Sequence, residues 1–319
     1  MPRVIAAALL LAVFGAVALP STASSAPECS YQSASRTIDV GLSNGDGTTR
    51  IEVASDGRIR VGPSKCGAAS VTNTDTINVE GTDGPDHVDI SLRDGPFTGI
   101  VFHLALAGGR DQLRVFGTVG NDRMIVGAAG LDLDALTHPG PDVTLGGVES
   151  VLLNGLAGKD VLSGQGGAGS GAPTKIPLNL IGAGGNDHLT GGAGPDILSG
   201  NDNTDVLDGK GGNDLLFGNK GSDTIRGGQG FDATFYQGRS TPVIVTEDGR
   251  PNDGGPSSGE RDNVSADVEK IVGGNAGDRL IGGPGPNVLI GGPGNDYLNG
   301  GGGNNSCNGG PGVDRFVNC

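Results

Sequence analysis

No tryptophan occurs among the 319 residues, and aromatic side chains make up only 3% of them. A conventional globular core of large rings is therefore excluded. No stretch shows helical periodicity, which removes helical bundles as well. Histidine is scarce and scattered (His87, His103, His138, His188), and no His-Glu-x-x-His motif is present, so a zinc protease is excluded. His188 falls at an outward position. Two G-x-S-x-G matches, Gly41-Leu-Ser43-Asn-Gly45 and Gly255-Pro-Ser257-Ser-Gly259, are expected by chance in so Gly/Ser-rich a chain. Neither lies between a strand and a helix, as a nucleophile elbow requires. Basic residues number 21 against 36 acids, a net charge of −15, which argues against nucleic acid and anionic membranes. Only one long apolar run exists, Val4 to Leu19, short for a membrane span. With Arg3 before it, and Pro20 and small residues up to Ala26 after it, it reads as a secretory leader, an uncleaved anchor being the competing reading. Cleavage would start the mature chain near Pro27 and, by removing Arg3, take the net charge to −16.

The chain is instead rich in glycine, 63 residues, and its acids divide into 29 Asp and 7 Glu. A merely solvated acidic surface would show no such bias. From Gly182 to Phe235 an aspartate recurs every nine residues: Asp187, Asp196, Asp205, Asp214, Asp223 and Asp232. Five residues before each stands Gly182, Gly191, Gly200, Gly209, Gly218 or Gly227. Two before stands Gly185, Gly194, Gly212, Gly221 or Gly230, with Asn203 the exception. Two after comes Leu189, Leu198, Leu207, Leu216 or Ile225, until Thr234 breaks the series. Glycine permits the tight reversal that turns backbone carbonyls inward, and Asn203 tolerates the same left-handed backbone. Aspartate adds a hard anionic oxygen on a short arm, which suits calcium. The triplet after each aspartate is a short strand with its middle side chain inward. One nonapeptide cannot bury that side chain alone, so the units must stack.

The pattern G-G-x-G-x-D-x-U-x resembles the RTX, or haemolysin-type, calcium-binding repeat family. The resemblance implies an all-β, right-handed parallel β-roll in which two nonapeptides make one coil and ions sit between loops two repeats apart. The loops of Asp187, Asp205 and Asp223 would then line one edge, and those of Asp196, Asp214 and Asp232 the other. The rhythm returns with Asp278, Asn287, Asp296, Asn305 and Asp314, led by Gly273, Gly282, Gly291, Gly300 and Gly309. Inward positions there hold Leu280, Leu289, Leu298, Cys307 and Phe316, and Ala276 replaces one glycine. Asp278, Asp296 and Asp314 would bind better than the uncharged Asn287/Asn305 edge, expected weak or empty. About seven Ca2+ ions would follow, cancelling most of the charge and coupling folding to metal.

From Thr37 to Leu153 apolar residues alternate with polar ones, the mark of half-buried strands punctuated by Asn44-Gly45, Asp56-Gly57 and Asp94-Gly95. Degenerate motif copies end in Asp86, Asp122 and Asp160, further metal candidates, the last in phase with Asp187. One continuous β-solenoid with a degenerate all-β N-terminal half is the simplest reading; a separate β-sandwich competes. Residues 164–173 could bulge out as a loop. Residues 236–272 hold the strand candidate Val243–Val245 and a Gly/Pro/Asp/Ser-rich loop. There Asp248, Asp253 and Asp262 read as a solvated loop or an extra ion site. The organisation expected is leader 1–26, solenoid-like region 27–180, first repeat block 181–235, irregular insertion 236–272 and second block 273–319.

Cys29, Cys66, Cys307 and Cys319 form an even set in an exported chain, which suggests two disulfides. Three pairings are open; the local one, Cys29–Cys66 and Cys307–Cys319, would cap both ends of the solenoid. Typical RTX proteins carry few cysteines and a C-terminal secretion signal. This chain is more similar to the small stand-alone repeat proteins of Gram-positive, high-GC bacteria. The function expected is a secreted calcium-binding protein with a structural or surface-interaction role, toward extracellular polysaccharide or a cell surface. The alternative is a calcium-dependent polyuronate lyase or epimerase, for which Arg110, Arg114 and Arg123 beside Asp111 and Asp122 are the only basic cluster offered.

Overall fold

The computed structural model describes residues 28–42, 47–133, 140–167 and 169–319. The leader, His138, the Asn44-Gly45 turn and Ser43 of the first G-x-S-x-G match lie outside these. Among the described residues there is no helix, hence none long and apolar enough to cross a membrane.

The strands stack, mostly in parallel, into two facing layers, with antiparallel pairs where Glu28–Gln32 meets Thr37–Gly41, across Gly47–Val53, Arg58–Val61 and Ser64–Ser70, and at Gly130–Asp132. One layer is a thirteen-stranded sheet from strand Ser64–Ser70 to strand Ser306–Asn308. The other is a twelve-stranded sheet from Glu28–Gln32 to Asn263–Val264, followed by a four-stranded sheet from Ile244–Thr246 to Arg315–Val317. Strand pairing passes without a break from the alternating half into the repeats. Leu152 pairs with Asn179, and Asn179 with Ile197.

The coil length changes along the axis, and coils with long connections, such as Gln112 to Ser150 and Thr224 to Asn263, interrupt the regular ones. Thr76 pairs with Val101 and His87 with Gln112, each 25 residues on. Within each repeat block the step is 18 residues, as from His188 to Val206 and from Arg279 to Tyr297. Strands of the wide coils turn two side chains inward each: Ile77 and Val79, Val88 and Ile90, Phe102 and Leu104, all buried. In the narrow coils the second inward place is glycine. Leu198 is followed by Gly200, Leu207 by Gly209, Leu216 by Gly218. Burying a leucine contributes about 1.5–3 kcal/mol, and glycine at the neighbouring place contributes no apolar area. Ordering the backbone costs about 1–2 kcal/mol per residue throughout. The repeats thus hold roughly half the apolar content per strand of the wide coils against the same entropic cost. Phe316, aligned with Leu298, departs from the expected inward burial and is 49% exposed, because no described coil covers it.

Both ends are closed covalently. Cys29–Cys66 joins the terminal strand of one layer to the terminal strand of the other, with Cα atoms 5.7 Å apart. At the far end Cys307–Cys319, at 5.6 Å, ties the terminal strand Ser306–Asn308 of one layer to the segment that follows the terminal strand Arg315–Val317 of the other. Loops of these lengths correspond to about 3–4 kcal/mol each in the chain-entropy account.

Two loop expectations change. Residues 164–167 and 169–173 do not bulge outward. Ala128 and Ala129 donate to the carbonyls of Ala172 and Ser170 at 2.8 Å, folding that stretch back on the sheet edge. Asp253 and Asp262 are not solvated but buried, and only Asp248 of that trio is exposed. Asp253 accepts the Thr246 N–H at 2.6 Å and the Val264 N–H at 2.9 Å, one with each carboxylate oxygen. It thereby splices the four-stranded sheet to the twelve-stranded one.

Replacing Leu207 by Ala is expected to cost about 2–5 kcal/mol in calcium-containing urea unfolding. Val119→Ala, at a position 75% exposed, should stay within about 0.5 kcal/mol.

Candidate metal centre

Each aspartate of the nine-residue series in the first block, Asp187 to Asp232, is buried at the corner where a loop enters its strand. The corners stack. The backbone N–H of Asp187 donates to Asp205 Oδ1 at 2.8 Å, and that of Asp205 to Asp223 Oδ1 at 2.9 Å. On the opposite edge Asp196 donates to Asp214 and Asp214 to Asp232, both at 2.8 Å. In the second block Asp278 donates to Asp296 at 2.7 Å and Asp296 to Asp314 at 3.0 Å. The two edges read from the nine-residue period are these two ladders.

The ladders reach beyond the repeats. Asp122 donates to Asp160 and Asp160 to Asp187, both at 2.8 Å. Asp223 donates to Asp262, and Asp232 to Glu269. Farther up, Asp86 donates to Asp111, and Asp111 to Glu149. Asp111, Glu149, Asp262 and Glu269 were not legible as members. Leu106 stands where the leading glycine of Asp111 would be, and the other three follow irregular coil lengths.

The second carboxylate oxygen sets the chemistry. Oδ2 of Asp111, Asp160, Asp187, Asp205, Asp214, Asp223, Asp232 and Asp296 is buried with no hydrogen-bond partner. An unpaired buried carboxylate oxygen costs several kcal/mol unless something cationic meets it. The ion pairs of the region, Lys210–Asp208 at 2.9 Å, Lys220–Asp202 at 3.1 Å and Arg239–Glu260, sit outside the ladder. The leading glycines explain themselves here. A Cβ on Gly209 would collide with Asp214 Oδ2 and with the carbonyl oxygen of Gly227 one coil on. Gly182, Gly191, Gly200 and Gly218 bear the same relation to the Oδ2 of their own aspartates. A Cβ on Gly185, Gly194, Gly212 or Gly221 would strike a carbonyl of the preceding coil. Asn203 adopts φ +81°, as the turn demands. Ala183 and Lys210, directly after leading glycines, also adopt positive φ, at about 1–2 kcal/mol each.

Among the described residues no three His, Cys, Asp or Glu side chains converge. Each loop offers one carboxylate, so a cation must take its other donors from backbone carbonyls. A cradle of hard oxygens, without nitrogen or sulfur, fits calcium and fits zinc or copper poorly.

Three variants of the corner dispense with charge from outside. In the wide coils Thr82 donates its N–H at 2.7 Å and its hydroxyl at 3.2 Å to the Asp86 carboxylate. Thr118 does the same for Asp122, at 2.7 and 3.1 Å. On the asparagine edge Asn287 Nδ2 donates to the carbonyls of Gly285 at 2.8 Å, Gly300 at 2.9 Å and Gly283 at 3.2 Å. Asn305 Nδ2 donates to Asn318 O at 2.9 Å. These amides fill, with N–H groups, the place where carbonyls elsewhere face an orphaned carboxylate. Asp196 and Asp278, whose Oδ2 atoms accept Gly192 and Gly274 N–H at 2.6 Å, are a third variant.

Desolvation, with like charges of neighbouring coils as a lesser cause, pushes Asp205, Asp214 and Asp223 up to about 7. Burial raises Asp160, Asp196 and Asp232 to about 6. A metal-free repeat block is therefore a stack of carboxylates that resist ionisation.

Residues 181–216, 199–233, 272–307 and 281–316 match the family model of the RTX calcium-binding nonapeptide repeat, in four copies. Both blocks are therefore calcium-binding repeats of the haemolysin type. No curated protein matches the chain.

In chelator, the folded repeats hold protons that the unfolded chain, with aspartates near 3.8, releases earlier. Metal-free stability should be fully present below about pH 4 and be lost as pH rises through about 7. Calcium should reverse the trend, because protons compete for the same oxygens. Urea midpoints across pH 4–8, with and without calcium, read both slopes.

Proposed function

We propose that the protein is secreted and folds on calcium outside the cell, as a structural or surface-interaction protein. The observation that carries this reading is the row of eight orphaned, buried Oδ2 atoms on the aspartate ladders. Those oxygens place the demand for a cation in the fold itself rather than in a catalytic cleft. The amino-terminal apolar run followed by small residues supports export. So do two cysteine pairs that close the ends of the solenoid. Extracellular calcium of roughly 0.1–1 mM would satisfy sites that cytosolic calcium leaves empty, so the chain would fold after export.

A polyuronate lyase or epimerase needs a base free to approach the sugar. Of the three arginines offered for that role, Arg114 is committed to the buried Asp89, at 2.6 and 2.9 Å. An extended, stacked surface suits binding to polysaccharide or to a cell envelope better than turnover.

Calcium titrated into the mature chain in a calorimeter should bind at several sites, about seven by the loop count. The melting temperature should rise steeply with calcium and fall on chelation. No heat of binding and a melting temperature indifferent to calcium would refute the reading. Unsaturated products formed from polyuronates would favour the enzymatic alternative.

A further inference from the structure

One groove has a lining that neither the packed interior nor the calcium corners call for. It lies where strands Ile197–Asp202 and Leu215–Lys220 meet the insertion, and has a volume of about 450 Å³. That size is within the range of small-ligand sites. Asn201, Asn219, Phe235, Arg239 and Glu260 line it, together with Asp202 and Lys220.

The asparagines depart from the nonapeptide pattern. Directly after a leading glycine, Gly228, Gly292, Gly301 and Gly310 adopt positive φ. Asn201 and Asn219 hold the same place in their coils, with φ of +78° and +70°. Glycine would adopt that backbone without strain, so the two side chains are kept at a backbone cost. Strain of this kind concentrates at ligand clamps. The pair is in register on adjacent coils. Asn201 Nδ2 donates to Ser199 O at 3.3 Å, and Asn219 Nδ2 to Ser199 Oγ at 3.1 Å and Phe217 O at 3.3 Å. These bonds set two amides side by side and leave their Oδ1 atoms as acceptors.

The insertion supplies the facing wall. Arg239 reaches back to the repeats, donating to Asn219 O and to Glu260 Oε2. Glu260 Oε2 also accepts the Gly255 N–H at 3.1 Å, so the pair is held in place. Phe235 is half-buried and stacks on Phe217, with ring centroids 4.8 Å apart and 12° between the planes. Lys220 and Asp202 pair with each other at 3.1 Å. In a chain of net charge −15 the groove is therefore neutral, each acid matched by its own base.

We propose that this groove binds a neutral glycan of hexose or N-acetylhexosamine units, with Asn201 and Asn219 taking hydroxyls and Phe235 taking a ring face. A sugar ring offers an apolar C–H face and a rim of hydroxyls that both donate and accept. Aromatic rings suit the first, and planar amides, carboxylates and guanidinium groups suit the second. A polyuronate would meet Asp202 and Glu260 with both neighbouring cations already committed. A peptide could not join the sheet here, because both strands are paired on either side. The inference rests on the surface-interaction reading and names its ligand class; the experiment separates the two.

The calcium-loaded, disulfide-bonded mature chain is applied to an array of neutral hexose and N-acetylhexosamine oligosaccharides, with oligouronates alongside. Affinity for the best neutral binder is then read by calorimetry for wild type, for Asn201→Gly combined with Asn219→Gly, and for Lys210→Gly. Glycine is the pattern's own residue at these places, so the double variant keeps the fold. Lys210 holds the same place on the opposite edge, away from the groove, and its variant is the control. The expected result is binding about tenfold weaker in the double variant, for two lost hydrogen-bond partners, and unchanged in Lys210→Gly. Undiminished binding in the double variant, or an equal loss in the control, overturns the groove and leaves the surface-interaction reading standing. Preference for an oligouronate, or no neutral binder at all, overturns the proposal. Melting of the same samples in calcium and in chelator reads the calcium account separately.

Discussion

Burial of carboxylates in register is the constraint on which the rest of the molecule depends. Each repeat strand holds its neighbour through a backbone N–H donated to an aspartate one coil away. That bond fixes one oxygen and, except at Asp196 and Asp278 on the aspartate ladders, leaves the other without a backbone donor in a dry corner. Adjacent corners are one coil apart, about 4.8 Å along the stack, where two like charges at an effective dielectric of about 20 repel by roughly 3 kcal/mol. The arrangement is coherent only when something neutralises the row. Protons can do so at low pH, and a cation held among carbonyls can do so at neutral pH.

Along one axis the fold shows several answers to the same corner. Wide coils fill their interior with Ile, Val, Leu and Phe, and close Asp86 and Asp122 with threonine hydroxyls. Narrow coils give up the second inward side chain for glycine, and the vacated space holds the carboxylate. The last coils replace aspartate with asparagine on one edge, whose amide meets the carbonyls directly. Apolar content and dependence on cations therefore vary inversely along the solenoid. The wide half can stand on its own packing, and the repeat half draws its stability from the corners.

The repeat geometry was legible because its period is strict and three positions are constrained together. Asp187 to Asp232 and Asp278 to Asp314 fall on the ladders the nine-residue spacing implies, and Asp160 stacks on Asp187 from 27 residues away. Acids contributed by irregular coils were not legible. Asp111 lacks its leading glycine, and Glu149 and Glu269 reach the ladder with a longer side chain. Spacing carries no signal for such residues, since only the tertiary stack determines which loop they face. Asp253 was misjudged for the complementary reason. A Gly/Pro/Asp-rich stretch reads as solvated, yet here it folds inward to join two sheets.

Amide hydrogen exchange, resolved by segment in calcium and in chelator, tests the central claim most directly. The account predicts that on chelation at neutral pH protection collapses across strands Ile197–Asp202 to Thr224–Gln229. Strands Thr76–Glu80 and Val101–Ala105 should retain theirs. Equal protection of the repeat strands in both conditions would contradict it, since the buried carboxylates would then need no cation to remain folded.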